Sequence, residues 1–449
     1  MFILNKVTKN NFYFLSLLTY FSLIFFRSSE ILTKGRFFAE EGSIYWGYSL
    51  NKSIFDIIFY DPVGDGYYCL TCNLQVLLTK LLPLQYAPLA TVWSSIFFAI
   101  VPSYLFYKFA EKHYEKKIYW SVLWLLIFLP SLNFLEVFAN SINTQSYLAV
   151  SIFVILLFSN GNKLIKFQYL IVLLGFMSSY YSLAILPAFL IRYYNEKKRW
   201  LLNILTIGIA SSFIQLNVFF YTLTQESLYS GRLEQEFNLD YLLSIISNSI
   251  GINFVTERFY RLDIISIFFL FIYIFILLIL IIRKSFFNNS KYVLILVTYF
   301  FQIVLVYFGN PTQVFYGRYA VVASTVIFFI YLEFINDFKK IQNTIFIIIL
   351  ISLLNFSLQG GDYFIECNEY CISWPEQVER VEKESLDKYI HWPIGEGDPY
   401  WYTDAKFPKP NPAPFQKKNI GINYLKNYEV SLFDILKRNF DLLIQNETK

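Results

Sequence analysis

Charged residues are scarce in this sequence. Only 16% of its 449 residues are Asp, Glu, Lys or Arg, whereas 56% are hydrophobic and 21% are aromatic. A soluble domain carries about 25% charged residues, so the composition excludes a soluble globular chain. Several apolar runs approach or reach the ~20 residues that a helix needs to cross a bilayer. The sequence therefore predicts an all-α polytopic membrane protein.

Two further absences bear on how the chain is organised. The first apolar run, residues 11–27, is too long and too aromatic for the core of a signal peptide, and no small-residue cleavage site follows it. We therefore expect this run to remain as a membrane span. The sequence also contains no internal repeat.

Ten apolar runs predict about eleven transmembrane helices. Short loops rich in Lys and Arg stay on the cytoplasmic side of a membrane, and five such stretches separate the runs. Basic stretches flank the run 167–193 on both sides, so it is expected to cross twice and to turn at MSSYYS (177–182). The N-terminus is then inside and the C-terminal region outside. The apolar runs are 11–27, 86–109, 118–133, 145–159, 167–193, 201–222, 262–283, 291–309, 319–336 and 341–357, and the basic stretches are 111–117, 160–167, 192–200, 283–291 and 336–340.

The segment LTCNLQVLLTKLL (70–82) must not cross if all the basic stretches share one side. Its leucines form one helical stripe. The opposite face carries the polar residues Thr71, Asn73, Gln75, Thr79 and Lys80. This pattern is typical of a helix that lies in the membrane interface.

The topology divides the chain into a transmembrane domain, 1–357, and a small extracytoplasmic C-terminal region, 358–449. Acidic residues outnumber basic ones in the C-terminal region, which argues against binding to nucleic acid or anionic lipid. Within it, PKPNPAP (408–414) predicts a stiff linker, and residues 430–444 predict an amphipathic helix that packs on the membrane domain. The outer segments are 28–85, 134–144, 223–261, 310–318 and 358–449.

All four cysteines fall on the predicted outer face. Cys69 and Cys72 form a C-x-x-C pair beside the interfacial segment, and Cys367 and Cys371 lie in the C-terminal region. On the oxidising side of a membrane, disulfides are the favoured interpretation, with inert thiols and a metal site as the alternatives. The sequence does not define which cysteines pair.

An acidic pair, Glu40 and Glu41, follows the first span. In RFFAEEGSIYW (36–46) aromatic residues bracket the pair, and Arg36 precedes it by one helical turn. Aromatic surroundings at an interface disfavour the charged form of a carboxyl group and suit it to proton transfer. The alternative is a solvated loop, but these features favour a functional role.

RFFAEEGSIYW resembles a pattern of the GT-C superfamily, which comprises integral-membrane glycosyltransferases that depend on polyprenyl-phosphate sugars. The likeness is to bacterial members that modify O-antigen and other cell-surface glycans, many of which have an Asp in one position of the pair. Other segments resemble the family's Asn-rich loop, its broken helix with an interior proline, the Arg-Tyr start of a late span and a Trp-Pro segment of the outer tail. In that order they are EVFANSINTQSYLAV (136–150), GFMSSYYSLAILPAFLIRYY (175–194), YGRYAVVAS (316–324) and HWPIGEGDPYW (391–401).

The resemblance implies an enzyme of the bacterial inner membrane whose active site faces the periplasm. It would transfer a monosaccharide from a polyprenyl-phosphate donor to a glycan or a lipid-linked acceptor, by an inverting single displacement. Glu40 would act as the base on the acceptor hydroxyl. Glu41 would point about 100° away, toward solvent or acceptor, and would orient the acceptor or help to hold a divalent cation if the reaction uses one. No other cofactor is expected.

Outer-face cations would stabilise the phosphate that leaves. Arg318 stands at a span boundary with no other charge in its short loop. A guanidinium there can bind a phosphate bidentately, and interfacial snorkelling is the alternative. The resemblance adds Tyr319 beside it. The other candidates for the donor phosphate are Arg36, Arg258 and Arg261, and those for the acceptor side, unless they form a plain outer turn, are Glu136, Asn140 and Asn143.

A second acidic pair in the first outer loop is Asp61 with Asp65, in YDPVGDG. These carboxylates would bind a cation or form a tight turn. The turn is favoured, because Asp, Gly and Pro together are typical of turns.

Two other functional classes share parts of this pattern. A transporter of lipids or solutes carries ionisable residues in mid-span, and the predicted spans have almost none. An O-antigen polymerase or ligase also uses polyprenyl-linked sugars, but it has its key arginines in a large late outer loop and no acidic pair after the first span. The favoured function is therefore a glycosyltransferase whose partners are membrane lipid, the lipid-linked donor and the acceptor.

Overall fold

The computed structural model describes a largely helical chain. The described residues are 9–35, 37, 41–49, 52–62, 66–114, 118–120, 122–124, 126–127, 139–224, 238–251, 290–309, 317–337, 378–379, 390–391, 402–403, 429–432 and 434–437. The helices are α1 (Lys9–Lys34), α2 (Ile54–Ile58), α3 (Leu70–Thr79), α4 (Ala87–Phe109), α5 (Thr144–Phe158), α6 (Ile165–Phe176), α7 (Tyr180–Leu183), α8 (Leu186–Glu196), α9 (Arg199–Thr224), α10 (Leu239–Gly251), α11 (Ser290–Gly309) and α12 (Gly317–Asp337). The strands are β1 (Tyr60–Pro62), β2 (Ile390–His391), β3 (Tyr402–Thr403) and β4 (Glu429–Ser431).

Among the described residues, three helical segments are long and apolar enough to cross a membrane. They are Leu84–Phe109, Arg199–Thr222 and Ser290–Phe308. On α9, large apolar side chains recur at helical spacing and are exposed, namely Ile209, Phe213, Leu216 and Phe220. Such a stripe is unusual on a soluble monomer. It is the side of the helix that we expect to face lipid.

The centre of the helical bundle is α5. All of its residues are buried, and the sequence TQSYLAVSIFVILLF is apolar on nearly every side, as expected of a helix with no solvent face. Helices α4, α6 and α12 pack around it. The Thr144 hydroxyl at the start of α5, for instance, donates to the Ser95 hydroxyl of α4 at 3.3 Å.

The basic stretches lie together at one end of the bundle, called the basic end below (residues 107–114, 158–166, 192–200, 291 and 333). The Arg192 guanidinium donates to the Ser159 carbonyl at 2.6 Å. The rings of His113 and Phe158 are 5.4 Å apart, and Lys291 Nζ lies 5.0 Å from the Phe158 ring centre. The described residues of the stretches 111–117, 160–167 and 192–200, together with Lys291, therefore lie at one end, as the prediction of a shared face requires. That this end is cytoplasmic stays a prediction.

The opposite end, called the Glu41 end below, consists of residues 41–48, 66–72, 139–144 and 177–181. The predicted break in the run 167–193 is found here, since α6 ends at Phe176 and α8 begins at Leu186. The two arms, of 12 and 11 residues, are shorter than the ~20 residues of a full span. The first outer loop covers the turn, because Leu70 N–H donates to the Met177 carbonyl at 3.2 Å.

The segment predicted to be interfacial forms α3, but its polar side is not turned to water. Thr71, Asn73, Gln75 and Thr79 are buried, whereas Leu78 is 42% exposed. An amphipathic helix at a membrane surface would instead turn its polar side toward water and its leucines toward the apolar phase. Gln75 bonds to residues of α4 and α5, and Asn73 donates to the Ile58 and Tyr60 carbonyls, whereas Lys80 at the end of the polar side is exposed. Most of the polar side of this predicted interfacial helix is therefore turned into the protein.

The tail returns to the membrane domain, as predicted, but it begins as a strand. Strand β4 pairs antiparallel with β1, and Asp61 is opposite Val430. Leu432 and Ile435 are buried against Tyr68 of the first loop. Asp61 itself lies in β1, because its backbone pairs with a segment far along the chain, and the turn expected in YDPVGDG stays a prediction. Asp65 lies outside the described residues.

Part of the predicted outer segment 223–261 is a helix that packs inside the bundle. Along α10 and α11, Asn238 N–H donates to Tyr307 Oη at 2.7 Å, and the hydroxyls of Ser249 and Tyr299 are 2.6 Å apart. Helix α10 therefore runs antiparallel to α11 from the Glu41 end to the middle of α11. This corrects the placement of residues 239–251 in an outer loop, because their apolar stripe is buried against α11 and α12.

Candidate functional site

The loop after α1 folds tightly against the start of α4. Gly35 ends α1 with a left-handed backbone (φ 75°), and its N–H donates to the Ile31 carbonyl at 3.0 Å. A Cβ atom at Gly35 would lie 2.9 Å from Pro88 and Leu89. Glycine is therefore needed both for the backbone angle and for the close approach. The π-helical turn Glu41–Trp46 follows.

Glu41 has no exposed surface. Its carboxylate oxygen accepts a 2.8 Å hydrogen bond from the backbone N–H of Ser141, three residues before α5 begins. A carboxylate is favoured near a helix N-terminus, where backbone N–H groups lack partners within the helix. Of the two predicted directions for Glu41, solvent or acceptor, the first is wrong, because the carboxylate is buried against Ser141, a hundred residues away.

Aromatic rings enclose this loop as the sequence predicts. Phe37, Tyr45 and Trp46 are buried in one cluster with Tyr60. The ring centres of Phe37 and Trp46 are 5.0 Å apart, and Tyr45 meets Tyr60 edge to face at 6.0 Å. Water is thus kept from the backbone around Glu41 by side chains of the same loop and of β1.

The Asn-rich turn before α5 is built by its own side chains. Asn140 Oδ1 accepts from Asn143 N–H at 2.8 Å, which is the local bond by which asparagine forms turns. Both asparagines are buried. Their side chains therefore support the turn that Glu41 contacts. Glu136 lies outside the described residues.

A buried amide on α3 joins this turn to α4. Gln75 Nε2 donates to Thr144 Oγ1 at 3.1 Å and to the Ser141 carbonyl at 3.4 Å. Its Oε1 accepts from the hydroxyls of Ser94 and Ser95 at 2.8 and 2.9 Å. Ser141 is thus held at its N–H by Glu41 and at its carbonyl by Gln75. Sequence reasoning placed Gln75 on a polar face and missed this role.

A disulfide lies beneath the same turn. Cys69 and Cys72 are bonded, and both are fully buried. Cys69 is the N-cap residue of α3, and Cys72 Sγ lies 3.8 Å from the Ser141 carbonyl oxygen. The C-x-x-C pair therefore closes the start of α3 against the Asn-rich turn. Cys367 and Cys371 lie outside the described residues.

The backbone of Arg318 and Tyr319 forms the first turn of α12. Glu333, near the other end of α12, lies at the basic end, so Arg318 begins the helix toward the Glu41 end. The remaining candidates lie outside the described residues, namely Arg36, Glu40, Arg258 and Arg261. Among the side chains that the structure does describe, no three His, Cys, Asp or Glu residues are grouped so as to hold a metal ion.

The basic end contains a charge cluster that the sequence did not reveal. Glu333 is buried and pairs with Lys291 Nζ at 3.1 Å, and it accepts a 2.7 Å hydrogen bond from the Tyr114 hydroxyl. Burial and the Glu333 charge raise the pKa of Tyr114 well above its usual value. An acidic residue three positions before a basic stretch was the available signal. The cluster ties α11 and α12 to the loop after α4.

Comparison of the chain with protein-family models, with curated proteins and with solved structures gives no match.

Proposed function

We propose that this chain is a glycosyltransferase of the bacterial inner membrane, with the Glu41 end facing the periplasm. It moves one monosaccharide from polyprenyl phosphate to a hydroxyl of a glycan or lipid-linked acceptor. The observation that supports the proposal best is the buried Glu41 carboxylate, bonded to Ser141 N–H inside an aromatic-lined loop. Burying a carboxylate is costly unless it is paired, so a loop built around one favours a functional role for the acidic pair.

The two glutamates have different roles in this proposal. The Glu41 carboxylate is engaged with Ser141, so it acts as a positioning residue. Glu40, the adjacent residue, is the base. As the acceptor oxygen bonds to the anomeric carbon, Glu40 takes the hydroxyl proton. The bond from the anomeric carbon to the phosphate oxygen breaks, and polyprenyl phosphate leaves with that electron pair, which inverts the anomeric centre.

Cations at the same end stabilise the leaving phosphate. Arg318 is in the first turn of α12, where the guanidinium and the helix N-terminus both favour an anion. Tyr319 is its neighbour in that turn. The further candidates from the sequence are Arg36, Arg258 and Arg261. If the transfer uses a divalent cation, Glu41 would help to hold it beside Glu40.

The acceptor binds beside the Asn-rich turn. Glu136 is the side-chain candidate on this side, whereas the buried side chains of Asn140 and Asn143 would act by holding the shape of the turn. Because Glu41 and Gln75 hold Ser141 from two directions, the acceptor would meet a surface that does not rearrange. Precise placement of the acceptor hydroxyl is worth several orders of magnitude in rate.

The test is transfer of a labelled monosaccharide from polyprenyl phosphate to acceptor glycan by the purified chain in lipid vesicles. Glu40→Gln should lower the rate by ~10² or more, the usual contribution of a general base. Asp240→Asn, an exposed carboxylate at the same end, is the control and should keep the rate. Normal turnover in Glu40→Gln would contradict the assignment of the base. Activity only with a polyprenyl-diphosphate oligosaccharide would instead identify a polymerase or ligase.

A further inference from the structure

Two basic loops meet at the basic end, and a glycine allows their contact. The loop between α5 and α6 passes directly over Trp200, at the start of α9. A Cβ atom at Gly161 would lie 2.3 Å from the Trp200 ring, and Gly161 also has a left-handed backbone (φ 78°). Arg192 strengthens the contact, since its guanidinium donates to the Ser159 carbonyl and lies 5.1 Å from the Trp200 ring centre.

The joined loops present a surface of one charge sign. Its exposed cations are Lys163, Lys166, Lys197, Lys198 and Arg199. The neighbouring carboxylate, Glu196, is paired with Arg192 at 2.5 Å and with Lys198 at 2.7 Å. Among the described residues, no carboxylate pairs with the other four cations. A net positive charge therefore remains at the surface, and it is open to an anionic partner.

Helix direction adds to this charge. Both α6 and α9 begin at this surface, at Ile165 and Arg199. The N-terminus of a helix carries a partial positive charge and unpaired N–H groups. The N-cap residue of α6 is Leu164, whose side chain has no polar atom with which to cap them. The helix ends and the cations thus attract the same kind of ligand.

Exposed apolar side chains border the cations on the side of the bundle. Tyr194 is 72% exposed, and Leu164, Leu190 and Leu202 are exposed as well. Lys197 Nζ lies 4.4 Å from the Tyr194 ring centre. An amphipathic aromatic residue between cations and an apolar surface is typical of the depth at which lipid headgroups lie. This border continues onto α9, with its exposed apolar stripe.

We propose that the loops 160–166 and 197–199 form one binding surface for the headgroups of anionic phospholipids. The cations and helix N-termini contact the phosphates, and the apolar border contacts the first carbons of the acyl chains. A soluble anion would use the charge but would leave the border exposed. The proposal does not depend on the glycosyltransferase assignment.

Native mass spectrometry of the purified chain, titrated with phosphatidylglycerol and separately with phosphatidylcholine, tests the surface. Each basic residue near an anionic headgroup layer strengthens binding roughly fivefold. The chain should therefore bind phosphatidylglycerol at least ~10 times more tightly than phosphatidylcholine. A variant with Lys163→Gln, Lys166→Gln, Lys197→Gln and Arg199→Gln should lose most of this preference, to within about twofold.

Two further variants separate the surface from general charge effects. Lys34→Gln, Lys52→Gln and Lys80→Gln remove basic residues of the first loop region, away from the surface, and should leave the preference intact. Gly161→Ala keeps every charge but separates the two loops, so it should lower the preference at least about threefold. An unchanged preference in the four-site variant, or an equal loss in the control, would overturn the proposal. So would full competition by an equal concentration of inorganic phosphate.

Discussion

The carboxylate of Glu41 accepts a 2.8 Å hydrogen bond from the N–H of Ser141, a hundred residues later in the chain. The bond joins the first loop to the N-terminal side of α5, the helix whose residues are all buried. The conformation of the first loop therefore depends on the position of the central helix α5, and the reverse holds as well. Several measurable consequences follow from this and from the charge arrangement at the two ends.

Removing the Glu41 carboxylate should destabilise the fold. A hydrogen bond to a charged group contributes roughly 1.5–3 kcal/mol, and the Ser141 N–H would lose this partner in a buried place. Glu41→Ala should therefore lower the thermal unfolding midpoint in detergent. Asp240→Ala, on the exposed side of α10, is the control and should change it little. Equal midpoints for the two variants would show that the bond contributes nothing to stability.

Replacing the Gln75 amide by an apolar side chain of similar size should destabilise the fold. Gln75→Leu is close in volume, but it removes the acceptor of Ser94 and Ser95 and the donor to Thr144. Ser94 and Thr144 keep their bonds to the Thr91 and Asn140 carbonyls, but removing a partner from a buried polar group still costs ~1–3 kcal/mol. Unfolding in mixed detergent micelles should show this loss. Leu78→Ala, on the exposed face of the same helix, should cost less, and the opposite ranking would contradict the inward orientation of the α3 polar face.

His113 should make stability depend on pH. Partial burial, together with the charges of Lys291 and Arg192, lowers the pKa of His113 to about 4, whereas an unperturbed histidine has a pKa near ~6.5. Between these values the unfolded chain binds a proton that the folded chain does not, so stability falls as the pH falls through this window. Above it the effect is absent, since both states are neutral.

Thermal midpoints at about pH 7.5 and about pH 5 measure this effect. The drop between the two pH values should be smaller in His113→Gln than in the unchanged chain. Asn162→Gln, in the nearby loop before α6, serves as the control and should keep the full drop. An identical drop in His113→Gln would mean that His113 does not contribute to the pH dependence.

The two ends should lie on opposite sides of the membrane. Single cysteines at Phe55 in α2 and at Lys163 or Lys197 at the basic end can be tested in a Cys367→Ser, Cys371→Ser background. Cys69 and Cys72 remain bonded and buried there. An impermeant maleimide should label position 55 in intact cells and positions 163 and 197 only after lysis. The reverse pattern would put the Glu41 end in the cytoplasm and would contradict the proposed periplasmic active site.

The sequence by itself determined the helical membrane character, the break at residues 177–182 and the shared end of the basic stretches. These features depend on local hydropathy, on polar interruptions and on the side of the membrane that basic loops prefer. It also indicated that aromatic rings surround the acidic loop, because Phe37, Tyr45 and Trp46 are its near neighbours in the chain.

Only the tertiary structure decided where the polar groups of the Glu41 end are directed. Glu41 is buried because its carboxylate accepts a hydrogen bond from Ser141 N–H. Asp61 is in a strand because it pairs with Val430, and Gln75 faces inward because its amide oxygen accepts from the Ser95 hydroxyl. Helical periodicity tells which residues share a face, but it does not tell which medium that face meets. In α3 the leucines lie on the outer side, and the buried Gln75 amide has its partners on α4 and at the start of α5.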